Sequence, residues 1–280
     1  MKVREVKRIV KGNATEDGAG VKLIRVLGRD DVEDIDPFLM LDAFGSDNPI
    51  DYIKGFPMHP HRGIETITYL LEGRVDHKDS LGNGGTLLAG DLQWMTAGSG
   101  ILHEEMPKET ETKGMHGIQF WLNMPQKDKM APPHYFPITP DMVKTIGIEA
   151  GTVKLISGRY MDSQGVESLY AQITMLDVQI KPNAEYDFPI AEEQHSFVYL
   201  IDGTGYFGSE RTLVQKHSVA IFEAGDAIRV QAMNSGVRFL LLAGKPLKEP
   251  IAWGGPIVMN TREELQNAFD ELHMGTFIKH

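Results

Sequence analysis

The sequence predicts an all-β fold, a sandwich or barrel built twice over, and three observations carry that expectation. Most of the 280 residues read as short extended segments cut by Gly, Asp-Gly, Asn-Gly and Pro, the rhythm of hairpin-linked strands. Clear helical periodicity is confined to a stretch near the C-terminus. The two halves also resemble each other. Tyr69-Leu-Leu-Glu-Gly73 returns 130 residues later as Tyr199-Leu-Ile-Asp-Gly203, and Gly90-Asp91 returns 135 residues later as Gly225-Asp226. A strand ending in an acidic residue and Gly, then a Gly-Asp turn before another strand, points to a duplicated β-barrel when it recurs at nearly one offset.

In chain order, the expected strands include 20–28 (GVKLIRVLG), 65–79 (ETITYLLEGRVDHKD) and 119–124 (QFWLNM) in the first half. The second half offers 170–180, 195–208 and 237–244. Between the halves, residues 125–140 are polar and then proline-rich, which predicts a linker or an interdomain crossing. At about 150 residues per domain, the length gives two domains, placed at 1–133 and 134–280. Near the end, Thr261 and Glu264 form a capping box, and Leu265, Phe269 and Leu272 recur at helical spacing before Gly275. That spacing predicts a short C-terminal helix covering an apolar face.

Composition excludes several classes of function. Without any cysteine, the chain has no disulfide framework, thiolate zinc site, iron–sulfur cluster or cysteine nucleophile, so any metal must be held by nitrogen and oxygen. With 28 Lys and Arg against 39 Asp and Glu, the net charge is -11, a field that repels phosphate backbones and anionic lipid. Direct nucleic-acid binding is therefore not expected. The opening MKVREVKRIVKG lacks the apolar run of a secretory signal, and no stretch approaches the roughly 18 apolar residues of a membrane span. A soluble, cytoplasmic protein is the expectation.

Chemistry concentrates in the histidines. His59 and His61 stand at i and i+2, so in an extended chain both imidazoles share one face, close enough to hold one ion. His103 and Glu105 repeat that spacing with an imidazole and a carboxylate. If the two segments lie on neighbouring strands, three neutral nitrogens and one carboxylate converge inside a barrel. That donor set suits a divalent first-row metal with open positions, whereas calcium and magnesium take more oxygens. In a regular strand Glu65 shares the face of His59 and His61 as well, so it competes with Glu105 for the carboxylate role, as ligand or as a hydrogen-bond partner of a ligating ring.

HPHRGIETITYLLEG (59–73), followed by GDLQWMTAGSGILHEEMP (90–107), resembles the pirin family of the cupin superfamily. The likeness continues through GKPLKEPI (244–251) and GPIVMNTREEL (255–265), and so covers most of the chain. It implies a bicupin, two antiparallel β-barrels of double-stranded β-helix type, with the metal in the N-terminal barrel only. The implied ligands are His59, His61, His103 and Glu105, with Glu65 left beside them. The sequence agrees on the second barrel: the repeat offsets place His59 and His61 on Pro189 and Ala191, and His103 and Glu105 on Arg238 and Leu240. His195 and His217, without partners two residues on, read as ordinary barrel or loop histidines.

The resemblance implies Fe2+ as the metal, with Mn2+, Ni2+, Cu2+ and Zn2+ as alternatives. It also implies a quercetin 2,3-dioxygenase-type reaction that opens a small aromatic, flavonol-like substrate with dioxygen. Glu105 is the candidate base, and Phe56, Trp94, Met95, Phe120 and Trp121 are candidates for an apolar wall. A second reading is a non-enzymatic iron redox sensor that binds a protein partner as a co-regulator. A third is a protein that binds a small acid or phenol without turnover.

Overall fold

In a computed structural model that describes residues 1–110 and 114–280, strands dominate and packing gathers the chain into two units, each assembled from separated stretches. One comprises Asn13–Arg25, Phe38–Pro140 and Leu247–His280, and the other Met1–Gly12, Val26–Pro37 and Asp141–Pro246. The first twelve residues thus belong with the later half, and the last thirty-four, 247–280, with the earlier one.

The unit built around residues 38–140 has two main sheets. Seven strands run in the order His134–Ile138, Leu92–Thr96, Ile64–Glu72, Met115–Asn123, Phe38–Ser46, Val21–Leu27, Asn13–Asp17. The second sheet runs Phe56–His61, Ile101–Lys108, Arg74–Asp79, Gly84–Leu88. Among the described residues both sheets are open paths, so the expected barrel is a pair of facing sheets rather than a ring of hydrogen bonds. Strand alternation decides what lies between them. Arg74–Asp79 buries Val75, His77 and Asp79, and Ile101–Lys108 buries Ile101, His103, Glu105 and Pro107, every second residue in each case. One part of this interior is apolar, with Val21, Leu23, Phe44, Tyr52, Leu70, Val75, Leu87 and Met115 clustered together. Another part is lined by histidines, glutamines and a carboxylate.

Residues 125–140 do not form a linker. A 3-10 turn at Gln126–Asp128 leads to the strand His134–Ile138, which pairs with Leu92–Thr96 at the sheet edge. An edge strand tolerates Pro137, because a proline there forfeits only a hydrogen bond that the ladder does not need. Lys129, in the polar part of the segment, is 2% exposed. Its ammonium donates to the carbonyls of Gly63 and Val258 and to Asn123 Oδ1 at 2.7–2.9 Å.

The C-terminal helix Arg262–Met274 begins as the sequence predicts. Thr261 Oγ1 accepts the Glu264 N–H at 3.1 Å, and Glu264 Oε2 accepts the Thr261 N–H at 2.9 Å. Gly275 closes it in the left-handed conformation, φ 71°. Leu265, Phe269 and Leu272 pack on a cluster of Ile257, Met259, Ala268 and Phe277.

The unit built around residues 141–246 has one nine-stranded sheet system, whose main path runs from Val6–Lys11 to Lys144–Ile148. Its interior is filled by apolar side chains, with Phe188, Phe207 and Phe239 edge to face at 5.5–5.9 Å between ring centroids. The repeat seen in the sequence has a backbone counterpart. Gly73 (φ 97°) lies against Gly114, and Gly203 (φ 77°) lies against Gly236, where a Cβ would come within 3.0 Å and 2.3 Å of the facing carbonyl oxygen. Both positions demand glycine for the same reason: left-handed backbone at a close crossing.

Candidate metal centre

His59 and His61 lie on Phe56–His61, and antiparallel pairing with Ile101–Lys108 sets His103 directly opposite His59. One ring nitrogen from each of His59, His61 and His103 lies within 4.8 Å of the others. The ring centroids are 4.3 Å (His59–His103), 4.9 Å (His59–His61) and 5.1 Å (His61–His103) apart.

Hydrogen bonding presents these rings to an ion. His59 Nδ1 donates to the Pro57 carbonyl at 2.9 Å and His61 Nδ1 to the Pro256 carbonyl at 3.1 Å, which leaves Nε2 of each with its lone pair. Both nitrogens of His103, which is fully buried, have no hydrogen-bond partner. Burial, reinforced by the neighbouring His59, pushes the His61 imidazole down to about 3 despite the Pro256 carbonyl. Burial and the surrounding rings of His61, His59 and His77 likewise push His103 far below the ordinary histidine range. Neutral rings with unused nitrogens in a buried pocket fit a metal ion, since burying an unpartnered polar nitrogen is otherwise costly.

Glu105 comes from the same strand and face as His103, but its carboxylate is turned to a row of side chains on the facing sheet. Oε1 accepts from Thr68 Oγ1 at 3.2 Å and from Gln93 Nε2, and Oε2 accepts from Gln119 Nε2 at 3.0 Å. Gln119, Thr68 and Gln93 are cross-strand partners on three adjacent strands, so register alone aligns them.

Glu65 does not share the histidines' face. Its carboxylate accepts from Thr96 Oγ1 at 2.7 Å, and it stands an odd number of residues from Thr68, on the opposite side of the sheet. The chain changes sheets between His61 and Ile64, through Gly63 at φ 75°, so the parity of one strand does not carry into the next. The same parity separates the proposed wall. Met95 and Trp121 face the interior with Thr66, whereas Trp94 and Phe120 pair with Ile67 on the other face. Phe56 faces inward because the pairing slips between His103 and Glu105, and its ring stands 6.4 Å from that of His59. Trp121 lies edge-on to His61 at 5.0 Å.

Sequence reasoning missed several neighbours. His77 is buried opposite Glu105, 5.4 Å from the His103 ring and stacked on Tyr135 at 4.5 Å. Burial, with Glu105 and Asp79 nearby, pushes the Tyr135 hydroxyl up to about 12. Trp253 sits 6.0 Å from Trp121. The spacing of His77 and Asp79, two apart like the other pairs, was a signal for the first of these.

Residues 20–122 match the family described as Pirin, and residues 175–278 match the Pirin C-terminal cupin domain. A pirin-like protein of Caulobacter vibrioides is 41% identical over 99% of this chain and 100% of its own length. The structure is similar to that of a quercetin 2,3-dioxygenase from Acinetobacter baumannii, with TM-score 0.91 and 30% identity over 98% of both chains. It shares its fold with the Escherichia coli pirin YhhW in complex with nickel(II), at TM-score 0.68 and 19% identity over 85% of this chain and 99% of the other.

Proposed function

Because the chain belongs to the pirin family of the cupin superfamily, we propose that it is a metal-dependent dioxygenase of the quercetin 2,3-dioxygenase type, taking a flavonol-like substrate and dioxygen. The observation that carries this reading is the convergence of three imidazoles on one point, two of them, His61 and His103, buried and held neutral. His59, His61 and His103 would hold the metal, iron in this reading, with Glu105 as the fourth ligand. Bound there, divalent iron would supply Lewis acidity that lowers the pKa of a coordinated substrate hydroxyl, together with one-electron redox chemistry.

The chain's own residues supply the rest. The Pro57 and Pro256 carbonyls fix the tautomer and orientation of two rings. Glu105, whose side chain enters the same interior as His103, is the carboxylate placed to accept a proton leaving a substrate hydroxyl. Phe56, Met95 and Trp121 line the same interior with apolar surface suited to a flat aromatic ring. The named Acinetobacter dioxygenase, similar along nearly its whole length, supports the substrate class.

The test is direct. Iron-loaded protein should bleach the absorbance of quercetin and release carbon monoxide in air, and a His59→Ala, His61→Ala double variant should do neither. Equal behaviour of the two proteins would overturn the enzymatic reading.

A further inference from the structure

We propose that Gln119, oriented by Trp121, is a positioning residue that, with Thr68 and Gln93, holds the Glu105 carboxylate off the three histidines, so that the Gln119 amide opposes its turning to a bound metal. The proposal rests on the reading of Glu105 as a ligand. Glu105 is two residues from His103 on one strand face, yet its carboxylate is not part of the cluster of ring nitrogens. It meets instead the row Gln119, Thr68 and Gln93, and both its oxygens have donors there.

The Gln119 amide is not free to turn. Its Oε1 accepts the indole N–H of Trp121 at 3.3 Å, and an indole nitrogen can only donate. The NH2 end must therefore face Glu105 Oε2 and Thr68 Oγ1, each at 3.0 Å. Trp121 is also the ring that lies against His61. An aromatic molecule settling against Trp121 would press on the group that fixes the amide, so the chain Trp121, Gln119, Glu105 links the pocket wall to the carboxylate.

A hydrogen bond from a neutral amide to a carboxylate is among the stronger ones, so releasing it opposes metal binding by about tenfold. The test uses full-length, metal-stripped protein and Co(II) alone, with affinity measured by chelator competition and coordination read from the visible absorption bands. Gln119→Leu should bind Co(II) about tenfold more tightly than the native chain and alter the bands. Both changes should vanish in a Glu105→Gln background. Trp121→Phe should shift affinity in the same direction by less. Weaker or unchanged Co(II) binding by Gln119→Leu would overturn the proposal, as would an equal change in the Glu105→Gln background. If Gln119→Leu does not fold, Trp121→Phe in the two backgrounds makes the same comparison. No flavonol enters the assay, so a Glu105-dependent gain alongside absent quercetin turnover keeps this inference and removes the oxygenase reading.

Discussion

Replacing Arg62 by methionine tests how the C-terminal segment supports the candidate metal centre. Arg62 follows His61, a proposed metal ligand, and is 2% exposed. Its Nη2 donates to the Phe277 carbonyl at 2.8 Å and lies 2.8 Å from Glu271 Oε2, while the guanidinium carbon sits 4.1 Å over the Phe277 ring. A buried hydrogen bond from a charged donor contributes about 1.5–3 kcal/mol. The ring contact adds about 1 kcal/mol. The ion pair adds less than about 1 kcal/mol, because Glu271 is 27% exposed and keeps Lys279 at 2.9 Å. Methionine preserves most of the packing, so Arg62→Met should cost about 3 kcal/mol. Glu271→Gln, which leaves the carbonyl bond intact, should cost under about 1 kcal/mol. All three tryptophans, Trp94, Trp121 and Trp253, lie in this unit, so denaturant unfolding followed by tryptophan fluorescence reports it alone. Arg62 also pairs with Ile257 through the backbone, one residue from the Pro256 carbonyl that orients His61. Loosening this contact should weaken metal binding by about tenfold, as loss of a ligand's orienting partner does. A cost for Arg62→Met no larger than that of Glu271→Gln, or unchanged metal affinity, would refute the argument.

Three further outcomes follow from the same structure. His103→Leu should abolish metal-dependent stabilisation yet raise the melting temperature of the metal-free protein, since it removes two buried, unbonded ring nitrogens; a metal-free protein less stable than the native chain would count against it. Burial pushes the Lys129 ammonium down to about 7, so the folded chain binds fewer protons than the unfolded one between about pH 7 and 10. Stability should rise with pH across that window, by at most about 1.4 kcal/mol per pH unit, and melting temperatures of Lys129→Met should lack that rise. Gly203→Ala places a Cβ 2.3 Å from the Gly236 carbonyl at φ 77° and should cost more than about 2 kcal/mol, measured by denaturant unfolding with circular dichroism.

The parts of the site that the sequence reveals are those that strand parity decides within one strand. His59 with His61, and His103 with Glu105, are each two apart, and both pairs do face one interior. The all-β fold and the capping box at Thr261 and Glu264 are local in the same sense. Glu65 shows where parity stops being a guide. Four residues from His61, it would share the face of one continuous strand, but Arg62 and Gly63 carry the chain from one sheet to the other. A Cβ at Gly63 would meet the Val258 carbonyl at 2.0 Å, so this glycine marks the break, and the segment it touches is nearly two hundred residues away in sequence. The proline-rich stretch misleads for a related reason. Its composition is that of a linker, and only the edge it pairs with, Leu92–Thr96, makes it a strand.

The ring of residues around Glu105 was illegible for a stronger reason. Thr68, Gln93 and Gln119 lie on three strands, and no spacing relates them until the registers Thr68–Gln93 and Gln119–Thr68 are known. The proposed metal ligands can be read from a short motif because they cluster along one strand and its neighbour. The groups that decide whether a carboxylate ligand is engaged or withheld come from the opposite sheet. Two chains with identical ligand motifs can therefore differ in metal affinity through a single amide such as Gln119, and the Co(II) comparison of Gln119→Leu in the native and Glu105→Gln backgrounds measures that difference without reference to turnover.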